Sequence, residues 1–184
     1  MNAKKAKQDR KQTDNHAANK GGILQPDNAC LKIPNGQYLR LNFMHIIRTS
    51  RSRWQGSGKE GSGWLNTESP ALKDAAYSYE SRFGNAPGTN PEELVAAAHA
   101  GCFNMRLASL IAAENLPAAF LETFCSIHLE EGSIVRSHLI LNAKGSGIFA
   151  SDFARLAEEA RISCPMSRLL KAEISLEFTF NSTD

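Results

Sequence analysis

Residues 90–113, NPEELVAAAHAGCFNMRLASLIAA, constrain this chain more than any other stretch. Asn90 suits a helix N-cap, Pro91 the first helical position, and Glu92 and Glu93 complement the positive end of the helix dipole. From Leu94 the run is apolar nearly all round, until Asn115-Leu116-Pro117 ends it. A helix of that character must be covered on most sides, so the rest of the chain has to wrap around it. His99, Asn104, Arg106 and Ser109 interrupt Leu94–Ala113, which reads the segment as a central buried helix and not as a membrane span. Cys102 sits in its middle, where it is packing material, a metal ligand or a nucleophile.

The flanking sequence supplies strands to cover that helix. HIIRTSRSRWQG and GWLNTESP flank the glycine-serine stretch GSGKEGSG, a hairpin signal. AAYSYESRF, 75–83, reads as a strand with Tyr77, Tyr79 and Phe83 on one face. FCSIHLEEGSIVRSHLILNAKGSG reads as two strands joined around Glu131-Gly132. SDFARLAEEARIS reads as a helix with Ser151 as N-cap and Phe153, Leu156, Ala157 and Ala160 on one face. Pro165 disfavours helical geometry at Cys164, so the helix breaks there and a short turn, PMSRLLK, restarts. AEISLEFTF alternates a dry face (Ile174, Leu176, Phe178, Phe180) with a wet one. The order predicts an α+β domain, antiparallel sheet packed on a long central helix.

The net charge of +2 conceals an asymmetry. Residues 1–43 hold eight Lys/Arg and three Asp, a net of +5, whereas 44–184 hold thirteen Lys/Arg and sixteen Asp/Glu, a net of −3. The domain is therefore mildly acidic, which argues against nucleic acid as its partner. Residues 1–22 have too little apolar surface to offset their ordering entropy, and disorder is expected. The start is basic and polar without a following apolar region, unlike a signal peptide.

Four cysteines, Cys30, Cys102, Cys125 and Cys164, are spread too far apart for a CxxC motif and too sparsely for a secreted disulfide scaffold. A reducing, cytoplasmic setting is expected. Cys30 and Cys125 read as small buried hydrophobes. A metal reading uses His99 and Cys102, three residues apart on one helix face, with Cys164 and His128 or Cys125 as further ligands, but only half of a structural zinc pattern is visible. Otherwise His99 is a core or interface histidine with a satisfied ring. A redox reading needs a thiol of lowered pKa and a second thiol. Arg82 offers a cation for Cys102, and the helix restart at Pro165 offers a dipole to Cys164, so the residues alone leave open which sulfur attacks first.

GTNPEELVAAAHAGCFNM, followed 62 residues after Cys102 by SCPMSRLLKAEISLEF and preceded by SYESRFG, resembles the OsmC/Ohr family of thiol-dependent peroxidases, and AAHAGCF is closer to its OsmC branch. The resemblance covers 44–184. It implies that Cys102 is the peroxidatic thiolate and Cys164 the resolving thiol, with a sulfenic acid and then a disulfide between them. It implies that Arg82 holds the thiolate and polarises the peroxide, and that Glu92 pairs with Arg82 and aims it. It also implies a swapped homodimer with sheets from both chains around two central helices, no bound cofactor, and a lipoyl-type dithiol as reductant. Phe103, Met105, Met166 and Leu169 lie near the two cysteines in sequence; as a lining they would favour organic hydroperoxides over hydrogen peroxide, and for at least half of them simple core packing is expected instead. A non-enzymatic module binding a metal or an apolar ligand on the same scaffold is the competing function. On one straight helix Glu92 and Cys102 lie about 15 Å apart, so a working site draws on two subunits or the helix is broken. Residues 1–43 have no counterpart in a typical member. Either translation opens at Met44, or they form a basic arm for anionic surfaces.

Overall fold

The computed structural model describes residues 30–32, 38–40 and 45–182. The chain divides into two compact units, Met1–Arg48 and Thr49–Asp184. In the first, β1 (Cys30–Lys32) pairs antiparallel with β2 (Tyr38–Arg40), Cys30 opposite Arg40. The expectations for residues 1–22 and for Met44 fall outside the described residues.

The second unit opens with an antiparallel sheet of β3 (Ser50–Gln55), β4 (Ser62–Thr67) and β5 (Ala75–Ser78). The expected strand over 75–83 ends at Ser78. There Ser78 accepts a hydrogen bond from Ser81 N–H (3.0 Å) and its own N–H donates to Ser81 Oγ (2.8 Å). This reciprocal cap satisfies donors that a strand would have left to a neighbour, and it starts a short helix, α1 (Tyr79–Phe83). Tyr79 and Phe83 still meet, their ring centroids 4.9 Å apart, but along a helix.

α2 (Pro91–Ala113) follows, an unbroken helix of 23 residues. Asn90 caps it by accepting from Glu93 N–H at 2.9 Å, and the Glu93 carboxylate reaches back to Thr89 Oγ1 and Asn90 Nδ2. By length and composition alone α2 could cross a membrane, a property the sequence reading had set aside. In the fold, its stripe of His99, Phe103, Leu107, Leu110 and Ile111 is core.

β6 (Phe120–Glu130) and β7 (Ser133–Gly145) form the expected hairpin, turning through Glu131 (φ 48°) and Gly132 (φ 79°), both left-handed as a two-residue hairpin turn requires. α3 (Ala150–Ser163) and α4 (Pro165–Leu169) lead to β8 (Glu173–Ser182). α3 starts earlier than expected. Phe149, not Ser151, is its N-cap, and the Phe149 carbonyl accepts from the N–H groups of Asp152 and Phe153. β8 joins β7 in parallel, so the sheet, in the order β6-β7-β8, is not purely antiparallel. The helical crossover returns the chain to the end where β7 began, which only a parallel ladder can use.

One face of this sheet meets α2 and α3. Along β7 every second residue, Ser137, Leu139, Leu141, Ala143 and Gly145, is buried. The register sets them beside Ile174, Leu176, Phe178 and Phe180, the predicted dry face of β8, of which Ile174, Leu176 and Phe180 pack partly buried against the core while Phe178 is 39% exposed. Phe153 of α3 stacks on Phe180 with centroids 4.1 Å apart. Each large side chain fully removed from water here, such as Phe103, Leu107, Leu139 or Phe153, contributes roughly 1.5–3 kcal/mol.

The expected cover of α2 on most sides is only partly present within one chain. Ala97, Ala98, Gly101, Met105, Ala108 and Ala112 are exposed along its outer face, and every residue of β3 is exposed.

Candidate functional site

The residues singled out in sequence fall into two clusters, one near each end of the first half of α2. The first forms where α1 meets the N-terminus of α2. Arg82 stands in the last turn of α1 and Glu92 in the first turn of α2. The Arg82 guanidinium grips the Glu92 carboxylate as a fork, Nε donating at 3.0 and 3.1 Å and Nη2 at 2.5 Å. Its carbon also lies 4.8 Å from the Phe83 ring centroid. Burial pushes the Glu92 carboxyl up, but the Arg82 hydrogen bond and charge, with Glu92's own backbone, outweigh it and hold the group below the usual carboxylate range. Arg82 is raised in turn, first by that hydrogen bond. Between the loop and the helix, the Ser81 hydroxyl donates to the Thr89 carbonyl (2.9 Å), fixing the approach of the two elements. The two consecutive acids thus take different partners: Glu93 braces the side chains of Thr89 and the Asn90 cap, and Glu92 pairs with the Arg82 guanidinium.

The second cluster forms where the middle of α2 meets the α3–α4 corner. Cys164 caps the end of α3 and the start of α4 with an extended backbone (φ −59°, ψ 128°), as the following proline demands. It is fully buried and faces Cys102, which is half-buried. Burial pushes the Cys102 thiol up, a hydrogen bond from the Met166 backbone N–H pulls it down, and the neighbouring Cys164 thiol pushes it up again; the net direction is upward. The free N–H at the start of α4 is therefore spent on Cys102, whereas the sequence reading had offered the helix restart to Cys164.

Around this pair lies a polar shell of which the sequence had marked only His99 and Cys125. His99, fully buried, is held by two serine hydroxyls: Nδ1 by Ser137 at 2.7 Å and Nε2 by Ser167 at 2.8 Å. Burial lowers its pKa, so the neutral ring, donor at one nitrogen and acceptor at the other, fits the site. This is the satisfied core histidine of the expectation. Cys125 is half-buried and extends the network, its sulfur 3.3 Å from Ser137 Oγ and 4.0 Å from His99 Nδ1. Burial pushes this thiol up, with Ser137 acting in the opposite sense. On the other side of Cys102, Arg106 Nε donates to Ser163 Oγ at 2.7 Å. The only sequence signal for this shell was spacing: His99 and Arg106 lie three and four residues from Cys102, and Ser163 and Ser167 lie one and three from Cys164.

The metal reading finds no support in this geometry. Both His99 nitrogens are engaged by hydroxyls, and His128 meets Arg136 Nη2 at 3.3 Å. Among the described residues no three metal-binding side chains converge. Of the apolar residues near the cysteines, Phe103 is core and Met166 packs against the core, while Met105 and Leu169 are 76% and 73% exposed.

Within one chain the two clusters stay apart. α2 is unbroken, so Glu92 and Cys102 are separated by about 15 Å of helix, and no cation is among the groups that set the Cys102 thiol. A recess of about 230 Å³ beside Glu92, lined also by Glu93, Ala96 and Ile127, opens onto Cys125, not Cys102.

The fold is thus an α+β unit in which a central helix sets one thiol against a second at a proline-broken helix corner. A family model described as OsmC-like protein matches residues 84–179. Peroxiredoxin OsmC of Escherichia coli (strain K12) is 34% identical over 143 residues, covering 76% of this chain and 100% of the relative, and Peroxiredoxin OsmC of Shigella flexneri matches to the same extent. The chain belongs to the OsmC-like family. Solved structures share the fold. The organic hydroperoxide resistance protein OhrB of Bacillus subtilis superposes with a TM-score of 0.54 at 23% identity, over 71% of this chain and 98% of that one. The OsmC-like protein VCA0330 of Vibrio cholerae gives 0.56 at 12%, over 73% and 100%.

Proposed function

We propose that this chain is a cysteine-based peroxidase that reduces organic hydroperoxides to alcohols through a Cys102–Cys164 cycle. Family membership and the match to the whole of Peroxiredoxin OsmC support the enzyme class. The observation that carries the cycle is the meeting of the Cys102 and Cys164 thiols across 62 residues of sequence. In the first step the Cys102 thiolate attacks one peroxide oxygen, the O–O bond breaks, and the alkoxide leaves as alcohol after taking a proton, which makes a Cys102 sulfenic acid. In the second, Cys164 sulfur attacks Cys102 sulfur, the S–O bond breaks, and water leaves. A lipoyl-type dithiol then reduces the disulfide, in a reducing, cytoplasmic setting. The more exposed Cys102 sulfur is the one such a dithiol reaches.

Arg82 and Glu92 enter the site from the second subunit of a swapped homodimer. Three features support this: the unbroken α2, the absence of any cation from the groups that shift the Cys102 thiol (Arg106, on the same face, is engaged with Ser163 and Glu159), and the exposed outer face of α2 and of β3. An arginine brought beside Cys102 would reverse the upward push on its thiol.

Two experiments test the proposal. Thiols are titrated before and after one equivalent of cumene hydroperoxide per chain. Loss of two thiols with a Cys102–Cys164 link is expected, and no loss would favour the binding module. For subunit sharing, Arg82→Ala and Cys102→Ser chains are inactive separately, and mixed dimers regain activity because one of their two sites is intact. No recovery in dimers shown to have mixed refutes sharing.

A further inference from the structure

We infer that His99 and Arg106 are positioning residues for the disulfide-forming step, two polar clamps that straddle Cys102 and hold the turn bearing Cys164 in register with it. The inference rests on the two-cysteine reading above.

The clamps and the thiols form an ordered ladder. His99, Cys102 and Arg106 are spaced by three and four residues, which puts them on one face of α2. Their partners at the α3–α4 corner run in the opposite order: His99 Nε2 with Ser167 Oγ (2.8 Å), Cys102 with Cys164, and Arg106 Nε with Ser163 Oγ (2.7 Å). Both ends are anchored beyond the ladder. The other His99 nitrogen meets Ser137 of β7, which ties the upper clamp to the sheet. At the lower end Arg106 Nη2 also approaches the Glu159 carboxylate (3.7 Å), and the Ser163 hydroxyl donates to the Glu159 carbonyl (2.7 Å), so Arg106 holds the last turn of α3.

The corner between the clamps needs holding. Cys164 has an extended backbone between two helices and belongs to neither, and α4 has only five residues. Condensation requires the Cys164 sulfur to approach the Cys102 sulfur opposite the departing hydroxyl. The S–S bond forms, the S–O bond breaks, and the Cys164 proton leaves with the hydroxyl as water. The first step asks less of the corner, which serves it only through the Met166 N–H bonded to the Cys102 sulfur, and Cys164 takes no part in it. Loosening either clamp therefore slows the second step selectively.

The experiment separates the two steps in the full-length protein. Reduced wild type, Arg106→Ala, Ser163→Ala and Ser167→Ala receive one equivalent of cumene hydroperoxide. Sulfenic acid is trapped at intervals with dimedone, and disulfide is counted by mass spectrometry. Sulfenic acid is expected to form within about twofold of the wild-type rate, whereas disulfide formation slows about tenfold or more and dimedone-labelled Cys102 accumulates. Arg106→Lys, which keeps a charged donor, restores part of the disulfide rate. Arg106 is partly exposed, so its variants test the lower clamp even if an upper-clamp variant folds poorly. Unchanged disulfide rates in the variants overturn the inference while leaving the two-cysteine reading intact. Both steps slowing together, in proportion to lost thermal stability, also overturns it. A wild type that forms neither sulfenic acid nor disulfide overturns the two-cysteine reading itself.

Discussion

Replacing Ser137 by alanine removes one oxygen from the middle of the protein, and the cost follows from what that oxygen holds. Ser137 is fully buried on β7, and its hydroxyl serves His99 Nδ1 at 2.7 Å and Cys125 Sγ at 3.3 Å. Without it, the nearest recorded partner of His99 Nδ1 is the Cys125 sulfur at 4.0 Å, a weak bond at best. The ring has no access to water, so the orphaned nitrogen bears a desolvation penalty of about 1–3 kcal/mol. Near the middle of that range the folded-to-unfolded ratio falls roughly 30-fold. Thr179 provides the control, since its hydroxyl makes a bond of similar length to Asn142 (2.9 Å) at the surface, and Thr179→Ala should stay within about 0.5 kcal/mol. The assay is urea unfolding followed by circular dichroism, at one protein concentration because association adds to apparent stability. An unchanged slope with a lower midpoint is expected. If Ser137→Ala costs no more than Thr179→Ala, the buried histidine network does not stabilise the fold as argued.

Two further outcomes follow from the titrating groups. His99 is held neutral by burial, its folded pKa below the unfolded value of about 6.5. The unfolded chain therefore binds a proton first, and stability present above about pH 6.5 is lost as pH falls towards the depressed folded value; unfolding midpoints measured from pH 8 to 5 should show this decline, and His99→Gln should flatten it. Glu92→Gln abolishes the charge of the fork around Arg82 but not its shape. As a partly exposed pair it should cost at most about 1 kcal/mol of stability, while hydroperoxide turnover falls much more because the guanidinium loses its aim; turnover tracking stability alone would refute that role.

Much of the fold was legible because its signals are local. Asn90-Pro91 at the start of α2, Glu131-Gly132 between β6 and β7, and Pro165 after α3 each act through backbone preferences within a few residues, and each appears where the sequence placed it. The misses were also local, but weaker. Ser78 and Ser81 cap one another without the usual glutamate, so alternating Tyr77 and Tyr79 read as a continuing strand. Ser151 looked like a cap because its hydroxyl suits one, yet the Phe149 carbonyl began the helix first.

The site divides along the same line. The candidates Arg82, Glu92, Cys102 and Cys164 came from their motifs and a family resemblance. The roles of Ser137, Ser163, Ser167 and Arg106 could not be read, since a serine hydroxyl bonds to whatever packing brings near it.

By itself the sequence determined where most of the helices and strands lie, the alternation along β8, and that one long apolar helix carries a cysteine at its centre, because these depend on periodicity and on the conformational limits of proline, glycine and capping side chains. Only tertiary structure decided that β8 runs parallel to β7, that Cys164 faces Cys102 between the His99–Ser167 and Arg106–Ser163 hydrogen bonds, and that Arg82 of α1 pairs with Glu92 at the N-terminus of α2, about 15 Å of helix away from Cys102. Those contacts span tens of residues. They exist only once burial of the α2 stripe against the sheet and α3 has brought distant segments together.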